Sequence, residues 1–236
     1  MVHVQKILDP AQAMKTCVII PTYNESNTIA NLVSQVRRLK LGLVVVDDGS
    51  SDNTAVIAEK SGATVIRNEL NQGKGSALVS GFKYCLKNDF DAAITMDGDG
   101  QHLPEDIPEF ISLAEKKEDL GLIIGNRMAD RKNMPFIRVL TNKFMSWLLS
   151  AIVRQKIHDS QCGFRLIKRK VLEKLSLKTH KFEIESEMII EAARIGVKIA
   201  SIPIQTVYRK ERSHINPFVD TIRFFRFIFK KLLHKK

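Results

Sequence analysis

Three cysteines in 236 residues, Cys17, Cys85 and Cys162, are odd in number and far apart, which excludes a disulfide framework and a CxxC-type zinc or redox site. A reducing cytoplasm suits that usage. The opening MVHVQKILDP lacks the basic start and apolar run of a signal peptide. No stretch approaches the roughly 20 apolar residues that span a bilayer, and the longest candidate, 144–153, is too short. No transmembrane helix is therefore expected, and contact with a membrane would be peripheral. Low-complexity linkers and internal repeats are missing as well, so the chain reads as one domain.

Both glycine signatures of common nucleotide-binding folds are absent. A dinucleotide-binding fold needs GxGxxG after its first strand, where this chain has PTYNES, and the GKG at 73–75 does not have the spacing of a phosphate-binding P-loop.

What is present suffices for one sizeable α/β domain, since 44% of the residues are hydrophobic. The formal charge of +11 is uneven: nine Lys or Arg against two acids over 206–236 leave that tail with +7. Such asymmetry points to an anionic surface, lipid headgroups or nucleic acid, touched by the C-terminal end. No recognised nucleic-acid-binding motif accompanies the charge, so a basic nucleic-acid-binding protein is the remote alternative.

Short apolar, β-branched runs at 16–20, 43–46, 63–67, 92–96 and 120–124 read as strands. Helical patterns lie between them at 25–40, 53–61, 73–87 and 105–117, the last opened by Pro104. Repeated strand-helix-strand units predict a mostly parallel, doubly wound sheet flanked by helices. Ligands of such sheets bind outside the carboxyl ends of the strands. The loops there are the polar ones: PTYNES, DDGSSDNT, NELNQGKG and DGDGQH.

Asp97 and Asp99, two residues apart after an extended strand, would point the same way and could grip one cation, with Gln101 as a further oxygen. Mg²⁺ or Mn²⁺ with diphosphate oxygens would relieve the repulsion between the two carboxylates. Gly98 and Gly100 let the backbone approach a ligand. Taken alone, the motif fits a ligand-free Asp/Gly turn equally well. Asp48, at the end of the second strand, is a candidate for a nucleobase or ribose contact, and Asp52 for an N-cap before Asn53.

With PTYNE, VVVDDGSSDNT, NQGKG and DGDGQH in this order and spacing, the sequence resembles glycosyltransferase family 2, of GT-A fold. The nearest resemblance is to dolichyl-phosphate mannose synthases and bacterial polyprenyl-phosphate glycosyltransferases. The resemblance covers about 16–213, leaving an N-terminal extension over 1–15 and a basic tail over 214–236. It implies that Pro21, Tyr23, Asn24, Glu25, Asp48, Asp97 and Gly98 bind the donor nucleotide. It also implies that Asp97, Asp99 and Gln101 hold Mg²⁺ or Mn²⁺ with the donor diphosphate, Asp99 serving catalysis directly. Arg127, in GNR, takes the place of an arginine near the donor and acceptor phosphates, and Arg138, in PFIR, that of an arginine facing the acceptor. HDSQCGFR resembles the family's D-x-x-x-G-[FY]-[RK] stretch, and Arg209, in YRKERSH, corresponds to a late arginine of the family.

The reaction so implied is inverting displacement of a nucleoside diphosphate from a sugar's anomeric carbon, with GDP-mannose or a UDP-sugar as donor. An ionised polyprenyl phosphate as acceptor needs only cationic groups to position it, whereas a hydroxyl acceptor needs a base, for which Glu185 in FEIESE is the candidate and Glu187 a lesser one. In the tail, Phe218, Ile222, Phe225, Phe229 and Leu232 recur at helical spacing, widened by Phe224 and Phe227, beside Arg223, Arg226 and Lys230. A basic amphipathic helix of this kind is expected to lie on the cytoplasmic face of a membrane; packing on the domain is the other use of such a stripe. Oligomeric state leaves no signature in the sequence.

Overall fold

The computed structural model describes residues 14–129 and 134–207, together with Phe224, Arg226, Ile228 and Phe229. One seven-stranded sheet has the order β3-β2-β1-β4-β6-β5-β7. Its strands are β1 (Thr16–Thr22), β2 (Gly42–Asp47), β3 (Thr64–Arg67), β4 (Ala92–Thr95), β5 (Leu120–Asn126), β6 (Arg165–Lys168) and β7 (Lys198–Pro203). The β1–β2, β1–β4, β2–β3 and β5–β7 pairs are parallel, and β6 runs antiparallel between β4 and β5. β1, β4 and all but the first residue of β2 are buried. Burial on both faces is why these strands read as unbroken apolar runs.

The helices are α1 (Ile29–Arg38), α2 (Thr54–Lys60), α3 (Lys74–Lys87), α4 (Ile107–Lys116), α5 (Phe136–Val153), α6 (Arg169–Leu172) and α7 (Ile184–Arg194). In α1 the buried residues are Ile29, Leu32, Val33 and Val36, one helical face, and each such side chain contributes about 1.5–3 kcal/mol on burial. Arg37 and Arg38 in its last turn complement the helix dipole. α3 lies close on the sheet because Gly81 has no side chain: a Cβ there would meet Ile19 Cγ2 at 2.4 Å.

All four expected helices exist, with starts one to four residues later than predicted. α1 begins at Ile29 because residues 24–26 are engaged by the loop after β2. α2 begins at Thr54, and the Asp52 carboxylate accepts the Thr54 N–H at 3.0 Å, so Asp52 serves the helix start from one position further out than an N-cap. β4 ends at Thr95, and Gly98 and Asp99 occupy a turn. The extended-chain alternation expected for Asp97 and Asp99 therefore does not apply, because the chain bends at two glycines, Gly100 with φ +69.

α5 corrects the expected 144–153 segment. It starts eight residues earlier, runs for 18 residues, and by length and composition is apolar enough to cross a membrane. Arg138 and Lys143 interrupt the apolar run, which is why the sequence showed only its second half. Its buried stripe is Asn142, Met145, Ser146 and Leu149. Its other side exposes Phe136 (78%), Ile137 (68%), Leu140 (58%) and Trp147 (64%). Of the expected tail stripe, only Phe229 is described, and it is exposed; Phe224 and Ile228, four apart, are buried in the core instead. Arg226 is described and exposed; the other tail positions, Arg209 among them, lie outside the described residues.

Candidate active site

Where β1 and β4 lie side by side, neighbouring strands lead away in opposite directions, so the loops after β1, β2 and β4 open on one cleft. The first two loops are bound to each other. Asn24 N–H donates to Ser50 Oγ at 2.9 Å, while Asn24 Oδ1 accepts from the Ser51 N–H at 2.9 Å and hydroxyl at 3.2 Å. Asn24 has φ +57, a conformation that asparagine tolerates. Glu25 N–H donates to Thr54 Oγ1 at 2.8 Å and Ser26 N–H to Asp52 Oδ2 at 3.2 Å. Tyr23 is left partly exposed beside them.

Asp48 is buried and organises the loop after β3. Its Oδ1 accepts from Asn68 Nδ2 at 2.8 Å and Gln72 N–H at 3.0 Å, and its Oδ2 from Gly73 N–H at 2.6 Å. The loop after β4 is pressed against β1: Thr28 Oγ1 donates to the Gly98 carbonyl at 2.7 Å, and a Cβ on Gly98 would meet Thr22 Cγ2 at 2.8 Å and the Pro21 carbonyl at 3.3 Å. Gln101 N–H donates to Asp99 Oδ1 at 3.0 Å, which shapes the DGDGQ turn.

Asp97 stands at the centre of a charged cluster. Lys74 Nζ lies 2.6 Å from its Oδ1 and His102 Nδ1 3.9 Å from its Oδ2. Burial alone would raise the Asp97 carboxyl, but Lys74, His102 and Arg127 outweigh it and hold the group well below the usual range. Burial, with help from Arg127 and Lys74, pushes His102 down to about 4, so its ring is neutral at physiological pH. The ring packs against Phe164 at 5.2 Å between centroids. Cys162 lies 4.0 Å from His102 Nε2, and burial pushes its thiol up to about 12. All three cysteines are free and buried.

Arg127 is fixed by Asp159. Its Nε and Nη2 donate to the two Asp159 oxygens at 2.8 and 2.9 Å, and its backbone N–H donates to Oδ2 at 3.1 Å. Asn142 of α5 donates to Asp159 Oδ1 at 2.7 Å, so α5 is tied to the same carboxylate. Burial would raise Asp159, but Arg127 and Asn142 keep it below its ordinary value. Arg165, wholly buried, donates to the carbonyls of Ser160, Cys162 and Glu185 at 2.8, 2.7 and 2.5 Å, which pins the HDSQCGFR loop to α7.

The structure thus gathers Pro21, Gly98, Asp97, Asp99, Gln101 and Arg127 around the strand ends, with Asn24, Glu25 and Asp48 building the walls. Arg138 lies in the first turn of α5, half-buried. Glu185 is buried and its Oε1 accepts from Lys74 at 2.6 Å. Glu187 Oε2 accepts from the Lys178 and Thr179 N–H groups and the Thr179 hydroxyl at 2.8–2.9 Å, a loop-holding duty. Sequence reasoning did not single out Lys74, His102 or the Arg127–Asp159 pairing. The lysine of NQGKG and the histidine of DGDGQH stood inside recognised motifs, but nothing local marks their partners.

Among the described residues, no three His, Cys, Asp or Glu side chains converge to hold a metal unaided. Two carboxylates beside glycines, at a cleft between strand ends, fit a hard cation that draws its remaining ligands from a bound diphosphate.

A family model described as glycosyl transferase family 2 matches residues 17–176. Among similar curated proteins is a UDP-N-acetylglucosamine–dolichyl-phosphate N-acetylglucosaminyltransferase of Methanococcus voltae, 31% identical over 81% of this chain and 85% of its own length. A polyprenol monophosphomannose synthase of Mycolicibacterium smegmatis is 29% identical over 86% of this chain and 82% of its own. Among solved structures, glucosyl-3-phosphoglycerate synthase of Mycobacterium tuberculosis, in complex with Mn²⁺, UDP and phosphoglyceric acid, superposes with a TM-score of 0.71 at 21% identity, over 93% of this chain and 78% of that one. That last likeness bears on the fold, which is shared.

Proposed function

The chain belongs to glycosyl transferase family 2, and on that premise we propose that it transfers a sugar, with inversion, from a UDP- or GDP-sugar to a polyprenyl phosphate at the cytoplasmic face of a membrane. The observation that carries the acceptor assignment is the ion pair of Glu185. The carboxylate at the candidate base position is buried and paired to Lys74, and Glu187 is spent on the loop at 178–179. A hydroxyl nucleophile would need one of them free. A phosphate monoester is already ionised at neutral pH: its oxygen attacks the anomeric carbon, the bond from that carbon to the donor diphosphate breaks, and no proton has to move. The names of the two curated relatives, one giving dolichyl phosphate as acceptor and the other a polyprenol monophosphomannose as product, support the same class.

In this reading Pro21, Tyr23, Asn24 and Glu25 line the nucleoside pocket, and Asp48 supports it by fixing the loop after β3. Asp97, Asp99 and Gln101 hold Mg²⁺ or Mn²⁺ with the diphosphate. A bound divalent ion would neutralise the charge that develops on the leaving diphosphate. Arg127, held rigid by Asp159, aims its guanidinium toward the phosphates, and Arg138, with Arg209, receives the acceptor's phosphate. The exposed side of α5 supports attachment to a bilayer. Five large apolar side chains, Phe136, Ile137, Leu140, Phe144 and Trp147, lie on it, exposed Lys143 flanks it, and one of the helix's buried residues, Asn142, touches the carboxylate that orients Arg127.

A panel of UDP- and GDP-sugars with Mg²⁺ or Mn²⁺, offered with undecaprenyl phosphate or with undecaprenol and scored by mass, tests the assignment. Product on the phosphate alone is expected. Transfer to undecaprenol, or to a saccharide in preference to the phosphate, would overturn it.

A further inference from the structure

Lys74 opens α3, and its ammonium is 2.6 Å from Asp97 Oδ1 and 2.6 Å from Glu185 Oε1. The place is cleared for it. A Cβ on Gly163 would stand 2.9 Å from Lys74 Nζ and 2.7 Å from Asp97 Oδ1, and one on Gly75 would meet the backbone of Thr179 and His180 at 2.7 Å. The Phe182 ring lies 5.8 Å from the ammonium. Glu185 is fixed in turn, since its carbonyl accepts from Arg165 Nη1 at 2.5 Å. Two carboxylates drawn to one ammonium in a partly buried site, Glu185 buried and Asp97 partly exposed, need a positive charge between them, because removing it would strand the buried Glu185 in a poorly hydrated place.

We propose that Lys74 is a resident cation of the donor site, held there by Glu185, which occupies Asp97 before a divalent ion arrives and stays beside the diphosphate afterwards. The proposal rests on Asp97 being a ligand of the donor-bound ion. Lysine suits the task because its ammonium is a point charge on a flexible stem, able to yield one carboxylate to an incoming ion while it keeps the other. Glu185 then acts through Lys74 as a positioning residue.

Two binding measurements test this without turnover: Mn²⁺ alone, by paramagnetic resonance, and UDP or GDP in EDTA, by calorimetry, on protein whose thermal melt shows it folded. Lys74→Gln should bind Mn²⁺ about ten-fold more tightly, because a competitor has left Asp97, and the diphosphate about ten-fold more weakly, the size expected for one nearby charge in a partly hydrated site. A lysine with only a structural role would not move the two in opposite directions. Glu185→Gln should weaken diphosphate binding less than Lys74→Gln does. If Lys74→Gln does not fold, Lys74→Arg carries the test: it should keep diphosphate binding and bind Mn²⁺ more weakly, since a guanidinium fork holds a carboxylate harder. Unchanged Mn²⁺ affinity in whichever variant folds, or parallel loss of both ligands in Lys74→Gln, overturns the proposal. Unaltered binding of both ligands to Asp97→Asn would instead overturn the metal-site reading on which it stands.

Discussion

The two sides of the sheet hold their polar loops by different means. On the β1–β3 side, the loops after β1 and β2 are joined by several neutral or singly charged hydrogen bonds between residues 26 to 29 apart in sequence, as in Asn24 with Ser50 and Glu25 with Thr54. On the β4–β7 side a few ionic contacts do the work, Arg127 with buried Asp159 and, from the start of α3, Lys74 with Asp97 and buried Glu185, the last pair 111 residues apart. Many weak bonds make a pocket that survives the loss of one. Few strong ones make a site in which single charges matter.

The largest effect on stability is therefore expected at Asp159. Asp159→Asn leaves the Arg127 guanidinium beside a neutral amide at a cost of about 3 kcal/mol, whereas Asn24→Ala should cost about 1 kcal/mol. Urea denaturation ranks the two, and equal costs would erase the contrast between the sides. The acid limb sharpens it. A carboxyl held below its ordinary value by the fold contributes stability that is complete above the unfolded pKa, near 4, and is lost as pH falls toward and through the folded one. Asp159→Asn should flatten the stability curve below about pH 4; an equally steep acid limb would mean that Asp159 is not the group responsible.

The smallest effect on stability is expected on the outer side of α5. Replacing Phe136, Ile137, Leu140 and Trp147 with serine removes exposed side chains, so the melt should barely move. Flotation with anionic vesicles should drop at least about ten-fold, since each side chain that enters the interface adds about 1.5–3 kcal/mol when fully buried. Undiminished flotation of that variant would move the membrane contact elsewhere on the molecule.

Legibility in the sequence follows the same division. The parallel half was readable because both-face burial forces apolar runs such as 43–46 and because its polar loops are contiguous motifs. Asp97 and Asp99 were singled out from those motifs, and Arg127 from the resemblance of GNR. β6 was not read as a strand: it has four residues, begins and ends with a basic side chain, and owes its place to antiparallel pairing with β4 and β5. α5 was half-read because Arg138 and Lys143 break its hydropathy. Tertiary contact alone reveals that Glu185 belongs to Lys74, since a Glu in the first turn of a helix looks the same whether it is a base, a dipole partner or an anchor. In the tail the expected stripe ran through Phe229, with Phe224 only widening it, whereas Phe224 and Ile228 are buried and Phe229 is exposed, a choice that spacing does not decide when phenylalanines occur on several sides of a helix.

The central claim is that the acidic turn after β4 binds a divalent ion together with a diphosphate. Calorimetric titration of UDP and GDP into the wild type and Asp99→Asn, each with and without Mn²⁺, measures it directly. Mn²⁺ should raise the affinity of the wild type for one of these nucleotides at least about ten-fold and that of Asp99→Asn hardly at all. The same Mn²⁺ enhancement in both proteins would contradict the account.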